Sequence, residues 1–489
     1  MRCLSLPLGI MALATAGAQT LQQQLQAIAT QRGLVGMSVV ALCGEEVTHA
    51  VHTGQRNLAQ GWPVNDATRY RIASISKLVT AIGLLKLHEQ GAFQLDDDVS
   101  AALGFTLRNP QHPSAPITYR MLLTHRSSLQ DGTGYGNFLT ATYSSAPPPP
   151  ISQLVVPGGT WYTANLWRSE APGTYFVYSN LNYGVIGTLI EALSGQRFDL
   201  YMRQQVLLPL GIAGSFNVQD LDDIAQLATL YRNSAPQADN FNGVMPPAPN
   251  LGAYVIGTNG LYFAPQGGLR CSALELAQVA KLLLGNGTVD GNTILAPATT
   301  DLILSNQWTW DGSNGDNYYG LFRSWGLGAH RITAQPGGDV VLPGLPMFGH
   351  AGEAYGLISD LYVDTLSGFG LVFITNGYTP GNSYALGVSS AFYRVEEEVY
   401  AALGAHGYAA CAATGSNESG PRQDLLAEGR KARWTGAGAL RCEAFDATGR
   451  LLERFVLEPG RTWTAPDVVA AVFLRCEDAS GRRFTARLQ

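Results

Sequence analysis

Apolar residues recur near helical spacing at Ile75, Leu78, Val79, Ile82, Leu85 and Leu87, and Gly91 closes the run, so the pattern predicts a helix over 78–90. The same period predicts helices over 21–32, 119–123, 200–210 and 388–403. Two more are predicted through Val185, Ile186, Leu189, Ile190 and Leu193 up to Gly195, and over 273–284 up to Gly285. Alternation with β-rich composition over 35–42 and 47–52, around Gly44-Glu45-Glu46, predicts a hairpin. Near the other end, 347–350, 357–363 and 368–375 read as strands, the last almost wholly apolar. Between the two halves, 130–174 reads as irregular, with Gly132, Gly134, Gly136 and the run Pro147 to Pro150. A stretch this long is equally a substrate wall or a tolerated surface insertion.

After Gly407 the pattern changes. Residues 409–432 read as a linker rich in small and polar residues. Alternating runs over 439–445, 451–457, 470–476 and 483–488, divided by turns, predict a small all-β module over 433–489. At the other terminus, Arg2 precedes a mostly apolar run over 3–14, with small-residue cleavage sites at 14–16 and 16–18. That is the pattern of an export signal over 1–18, with a tethered anchor as the alternative. A secreted or periplasmic location follows, with no transmembrane span after signal removal, because no later run of that length lacks polar residues.

Composition narrows the classes. The chain is 489 residues long, 46% hydrophobic and 14% charged, which suits a large core and argues against disorder. A net charge of −6 gives no support for nucleic-acid binding. Five cysteines remain after the signal: Cys43, Cys271, Cys411, Cys442 and Cys476. An odd count leaves at least one thiol free, and their spacing matches no zinc motif. Cys442 and Cys476 fall in two predicted strands and are candidates for a bridge.

The candidate chemistry begins at the start of the helix over 78–90. Ser74 and Lys77 are three residues apart and so share one helical face, at an N-terminus that favours developing negative charge. A nucleophile, an amine to deprotonate it and a positive helix end are three parts of an acyl-transfer site. Taken alone, Ser-x-x-Lys is equally a cap followed by a solvated lysine. The chain has only four lysines, Lys77, Lys86, Lys281 and Lys431, and only Lys77 has a serine three residues before it.

Two further motifs stand in order behind it: Tyr178-Ser179-Asn180, after the turn Pro172-Gly173 and before Asn182-Tyr183-Gly184, and His350-Ala351-Gly352 on a predicted strand. With the supporting stretches Leu122-Leu123-Thr124-His125, Pro209-Leu210-Gly211 and Gly267-Gly268-Leu269, the chain resembles the serine β-lactamase and penicillin-binding-protein superfamily. It is most similar to the class C β-lactamase, D-alanyl-D-alanine carboxypeptidase and esterase branch, from about residue 21 to 405, within an expected domain over 19–408. The resemblance implies an α+β fold: an antiparallel sheet flanked by helices, with a mostly helical second region roughly between residues 90 and 270. It implies an acyl-enzyme on Ser74, with Lys77 and Tyr178 sharing the proton; which of them is the base stays open. An acyl-enzyme mechanism calls for no metal or organic cofactor, and none is expected. Asn180, His350, Ala351 and Gly352 would contact substrate, and the backbone N–H groups of Ser74 and Glu353 would form the oxyanion hole. The chain departs from many lactamases in having His350 where they have lysine. A neutral histidine binds a carboxylate less firmly than an ammonium does. Arg270 and Arg323 are cations that sequence does not place in the site. The implied function is a serine hydrolase for a small ester or amide. D-alanyl-D-alanine carboxypeptidase, D-aminopeptidase and β-lactamase are the alternatives, and a non-catalytic protein binding peptidoglycan or a partner is the rival from another class.

Overall fold

The computed structural model describes residues 19–409 and 411, and of the C-terminal part 425–428, 430–434, 438–446, 451–466, 472–477 and 483–488. The expected signal over 1–18 and most of the expected linker lie outside the described residues. In chain order the elements that matter here are α1 (Leu21–Gln31), β1 (Gly36–Cys43), β2 (Glu46–Asn57), β3 (Arg69–Arg71), α2 (Ile75–Glu89), α3 (Tyr119–Leu123), α4 (Thr133–Ser144) and α5 (Asn180–Ser194). They continue with β4 (Arg270–Ser272), α6 (Ala273–Leu284), β5 (Phe348–Ala354), β6 (Leu357–Asp364), β7 (Phe369–Thr375) and α7 (Arg394–Leu403).

A nine-stranded sheet carries the fold. Its order is Trp308–Thr309, Ser324–Trp325, His330–Arg331, β5, β6, β7, β1, β2 and Trp62–Pro63. All the pairings between these strands are antiparallel. The central strands are apolar on both faces because both faces are covered. Along β1, Met37, Val39 and Ala41 join one core, and Val40 and Leu42 join the other, as the two-residue period requires. The first core receives α1 and α7 through Leu25, Ile28, Val399 and Leu403; the second receives α2, α5 and α6. Each large apolar side chain buried in this way contributes roughly 1.5–3 kcal/mol. Between α2 and β4 the chain is helix and loop, with one short ribbon of Leu230–Arg232 and Ala235–Ala238. The expected antiparallel sheet and helical second region are therefore present.

Three expectations need correction. The stretch over 130–174 is not wholly irregular: α4 buries Tyr135, Phe138 and Thr142. Its glycines concealed the helix because they serve packing; a Cβ on Gly134 would stand 2.0 Å from the Trp161 carbonyl oxygen. The last predicted helix begins at Arg394 rather than at 388. The carboxylate of Glu397 accepts the backbone N–H groups of Val388, Ser389 and Ser390 and holds that segment as a loop. Within the expected linker, Leu425–Glu428 is a strand paired with Lys431–Trp434.

The four predicted C-terminal strands form one antiparallel sheet, with Leu440–Asp446 between Leu451–Leu457 and Val472–Glu477, and Arg483–Leu488 outside the latter. Cys442 and Cys476 are bridged, as are Cys43 and Cys411, and Cys271 is a buried free thiol.

Candidate active site

The site is built where α2 meets the sheet. β3 pairs with β4, the Ile72 N–H donates to the Leu269 carbonyl, and Ala73 then turns through a left-handed conformation at φ 49°. That turn redirects the chain into α2 and leaves Ser74 at its N-cap, where the side chain makes no capping bond. Its oxygen is therefore available to other partners.

Lys77, wholly buried one turn on, is one of them. Its ammonium donates to Ser74 Oγ at 2.9 Å, Asn180 Oδ1 at 2.8 Å and the Gln266 carbonyl at 2.9 Å. Burial brings the lysine down to about 7, against a smaller opposing pull from Asp131. Tyr178 lies on the other side. Its ring centroid is 4.7 Å from the Lys77 nitrogen, and its hydroxyl faces the Ser74 side chain. Burial raises that phenol well above its ordinary value, so it stays neutral.

Asp131 is the group that sequence reasoning missed. Its carboxylate accepts from Ser179 Oγ at 2.9 Å, from the backbone N–H groups of Asn180 and Leu181 at 3.1 and 2.9 Å, and from Asn180 Nδ2 at 2.7 Å. It caps α5 from a distance and fixes the Asn180 amide so that its oxygen faces Lys77. No spacing rule links position 131 to position 180. His125, noted in the sequence only as part of a supporting stretch, lies 4.5 Å from the Tyr178 ring, centroid to centroid. Its Nδ1 accepts the Ser179 N–H at 3.1 Å, and burial holds the ring neutral.

β5 closes the site. A Cβ on Gly352 would stand 3.1 Å from the Ser74 nitrogen and 2.8 Å from the Ile72 carbonyl, so glycine is what lets this strand approach the start of α2. Ser359, opposite Gly352 on β6, donates to the Ile72 carbonyl at 2.8 Å and pins the same junction. His350 is fully buried, 6.0 Å from the Tyr178 ring, centroid to centroid. Its Nδ1 lies 2.5 Å from the Ala351 carbonyl and so carries the hydrogen, which leaves a lone pair on Nε2 with no partner. Burial and the nearby Lys77 hold this imidazole neutral. Ala351 and Glu353 belong to the opposite face: Ala351 packs on the α1/α7 core, and the Glu353 carboxylate accepts from the Tyr393 hydroxyl at 3.0 Å. Along β5 the strand His330–Arg331 reaches only Gly349 and Phe348, so the sheet leaves that edge of β5 open from His350 onward.

Neither spare cation joins the cluster. Arg270 is paired with Asp239 at 2.8 Å, and Arg323 lies over Trp310 at 5.7 Å. Among the described residues, no group of three or more His, Cys, Asp or Glu is arranged to hold a metal, and no helix is long and apolar enough to cross a membrane.

An antiparallel sheet flanked by helices, with a serine, a buried lysine and a tyrosine meeting at the end of one helix, defines the β-lactamase/transpeptidase-like class. The chain belongs to the beta-lactamase family, whose model matches residues 18–388. It is 23% identical over 378 residues to penicillin-binding protein 4 of Amycolatopsis lactamdurans, covering 76% of this chain and 86% of that one. It is 27% identical over 205 residues to the D-alanyl-D-alanine-carboxypeptidase/endopeptidase AmpH of Escherichia coli K12, covering 42% of this chain and 51% of that one. The solved D-amino acid amidase of Ochrobactrum anthropi SV3 shares the fold with a TM-score of 0.56 at 20% identity, covering 79% of this chain and 98% of that one.

Proposed function

We propose that the protein is an exported serine hydrolase that forms an acyl-enzyme on Ser74 and cleaves a small ester or amide. The observation that carries this reading is the 2.9 Å contact between Ser74 Oγ and a buried Lys77 whose amine titrates near neutrality. Lys77, once neutral, takes the Ser74 proton as Oγ attacks the carbonyl, and it is the better base because Tyr178 is held protonated. Tyr178 passes its proton to the leaving group and is reprotonated from the Lys77 ammonium, which restores the neutral amine, and the pair then activates water for deacylation. The N–H groups of Ser74 and Glu353, brought together by the close approach at Gly352, receive the oxyanion, at roughly 3 kcal/mol per donor. Asn180 holds Lys77 through its oxygen and offers its second N–H to the substrate.

The imidazole of His350 supports an ester or neutral amide ahead of a β-lactam or a peptide with a C-terminal carboxylate. Its free nitrogen bears a lone pair, and the ring is neutral, so it offers a carboxylate neither a charge nor a donor. D-amino-acid amides are the second reading, favoured by the fold shared with D-amino acid amidase. The bridge between Cys43 and Cys411 supports export to an oxidising compartment.

The test is intact-protein mass spectrometry after a fluorophosphonate probe on wild type and Ser74→Ala, followed by nitrophenyl esters and a fluorescent penicillin. One adduct on wild type and none on the variant, with ester turnover and no penicillin label, is the expected outcome. An unlabelled, folded wild type would overturn the reading.

A further inference from the structure

The ribbon of β3 and β4 carries three arginines, and two of them are spoken for. Arg69 is buried against Asp222 and Glu275, the latter at 3.6 Å, and Arg270 is buried in a bidentate pair with Asp239 at 2.8 and 3.0 Å. Arg71, directly opposite Arg270 in the ribbon and only half-buried, has no carboxylate partner among the described residues. Its Nε donates to the Gly267 carbonyl at 3.1 Å, and its guanidinium carbon lies 5.1 Å from the centroid of Tyr355. Gly267 follows Gln266, whose carbonyl holds Lys77, so Arg71 stands beside the catalytic cluster and not on a remote surface.

Two tyrosines complete the group. Tyr355 follows β5 directly, at φ 57°, and is 42% exposed. Tyr143, 52% exposed on α4, lies in the field of Arg71, Arg270 and Tyr355. Close to both is the hydroxyl of Tyr135, buried with no hydrogen-bond partner.

The direction of the substrate follows from the proposed chemistry. Tyr178 is the proton donor for the leaving group, and it sits at the His350 end of β5. The leaving group therefore departs toward His350, and the acyl half extends along the open edge of β5 toward Ala354 and Tyr355. We propose that Arg71, with Tyr355 and Tyr143, forms an anion subsite for the acyl half, so that the preferred substrate is an ester or amide whose acyl group carries a carboxylate a few bonds from the scissile carbonyl. This inference rests on the hydrolase reading above. An unpaired guanidinium flanked by phenols binds a carboxylate by a fork of charge-assisted N–H bonds, which the neutral His350 end cannot offer.

The experiment compares 4-nitrophenyl monoesters of glutaric, adipic and suberic acids with their methyl-terminated isosteres, on wild type, Arg71→Gln and Arg71→Lys. Wild type is expected to favour at least one monoester over its isostere by tenfold or more in kcat/KM, with the preference shrinking in 1 M NaCl. In Arg71→Gln that preference falls by roughly ten- to a hundred-fold, chiefly through KM, while the neutral isostere stays within about threefold. Arg71→Lys keeps part of it. A wild type indifferent to the carboxylate overturns the subsite, and needs no variant to fold. So does a preference that survives Arg71→Gln, or an equal fall for both ester types in a variant with unchanged Tm, since that marks Arg71 as a positioning residue for the Gly267 loop. Turnover of neutral esters alone refutes only the subsite. No turnover of any ester, together with an unlabelled Ser74, refutes the hydrolase reading and the subsite with it.

Discussion

Lys77 shows how one buried amine takes its character from its neighbours. Three acceptors surround it, and burial works against its charge while Asp131 favours it. A base must be neutral to act, so kcat/KM for an activated ester is expected to rise with pH through a midpoint near 7, read from a pH–rate profile. Asp131→Asn removes the one charge that, among the described residues, supports the ammonium, so that midpoint moves to lower pH. The same change removes a carboxylate from the N-terminus of α5, which costs about 1–2 kcal/mol in a denaturant titration. A profile unmoved by Asp131→Asn would contradict this account of the lysine. His125→Phe keeps a ring against Tyr178 but loses the acceptor for the Ser179 N–H. It is expected to lower kcat more than it raises KM.

Between elements, the decisive feature is how closely β5 approaches α2. Gly352→Ala places a methyl group 2.4 Å from Ser359 Oγ and 2.8 Å from the Ile72 carbonyl, and neither neighbour is the loose end of a long side chain. The strand must retreat from Ser74, so acylation is expected to fall at least a hundredfold with only a modest drop in Tm. Much of this level was legible beforehand. α3 and α6 stand at their predicted bounds because a period of 3.6 with end signals is a local property. The Ser74–Lys77 pair is legible for the same reason, since a single helical turn joins the two. Asp131 was not, because its partners at 179–181 are brought to it by the fold and not by any period. Gly134 was misleading in the other direction: a residue selected for a close backbone contact reads, in sequence, as a helix breaker.

For the molecule as a whole, a pH-sensitive feature lies away from the site. Asp360 on β6 and Glu396 on α7 are buried together beside Tyr400, with Tyr393 and the Glu353 carboxylate at the edge of the group. Burial raises Asp360 to about 7 and Glu396 well above its ordinary range. A carboxyl group whose folded pKa lies above its unfolded value stabilises most at acid pH, and that contribution is lost as pH rises through the folded value. Tm is therefore expected to decline between about pH 5 and 8, and Asp360→Asn should flatten the decline in a calorimetric series. The bridge between Cys43 and Cys411 closes a loop with a sequence separation of 368. Its reduction is expected to cost about 3–5 kcal/mol, measured as unfolding free energy with and without reductant.

The strand order has a consequence for how the chain is made. β1 pairs on one side with β7, more than 300 residues later in the chain, and the sheet has no centre until β7 arrives. A ribosome-bound chain ending before 369 thus holds β1 and β2 as a hairpin with a bare apolar face, which stays open to protease and to holding chaperones. Completion of the core waits until β7 and α7 have emerged. A chain that cannot close on itself early can be threaded through a translocon before it folds, and a pulse–chase with limited proteolysis should find protection appearing only after residue 375 has emerged.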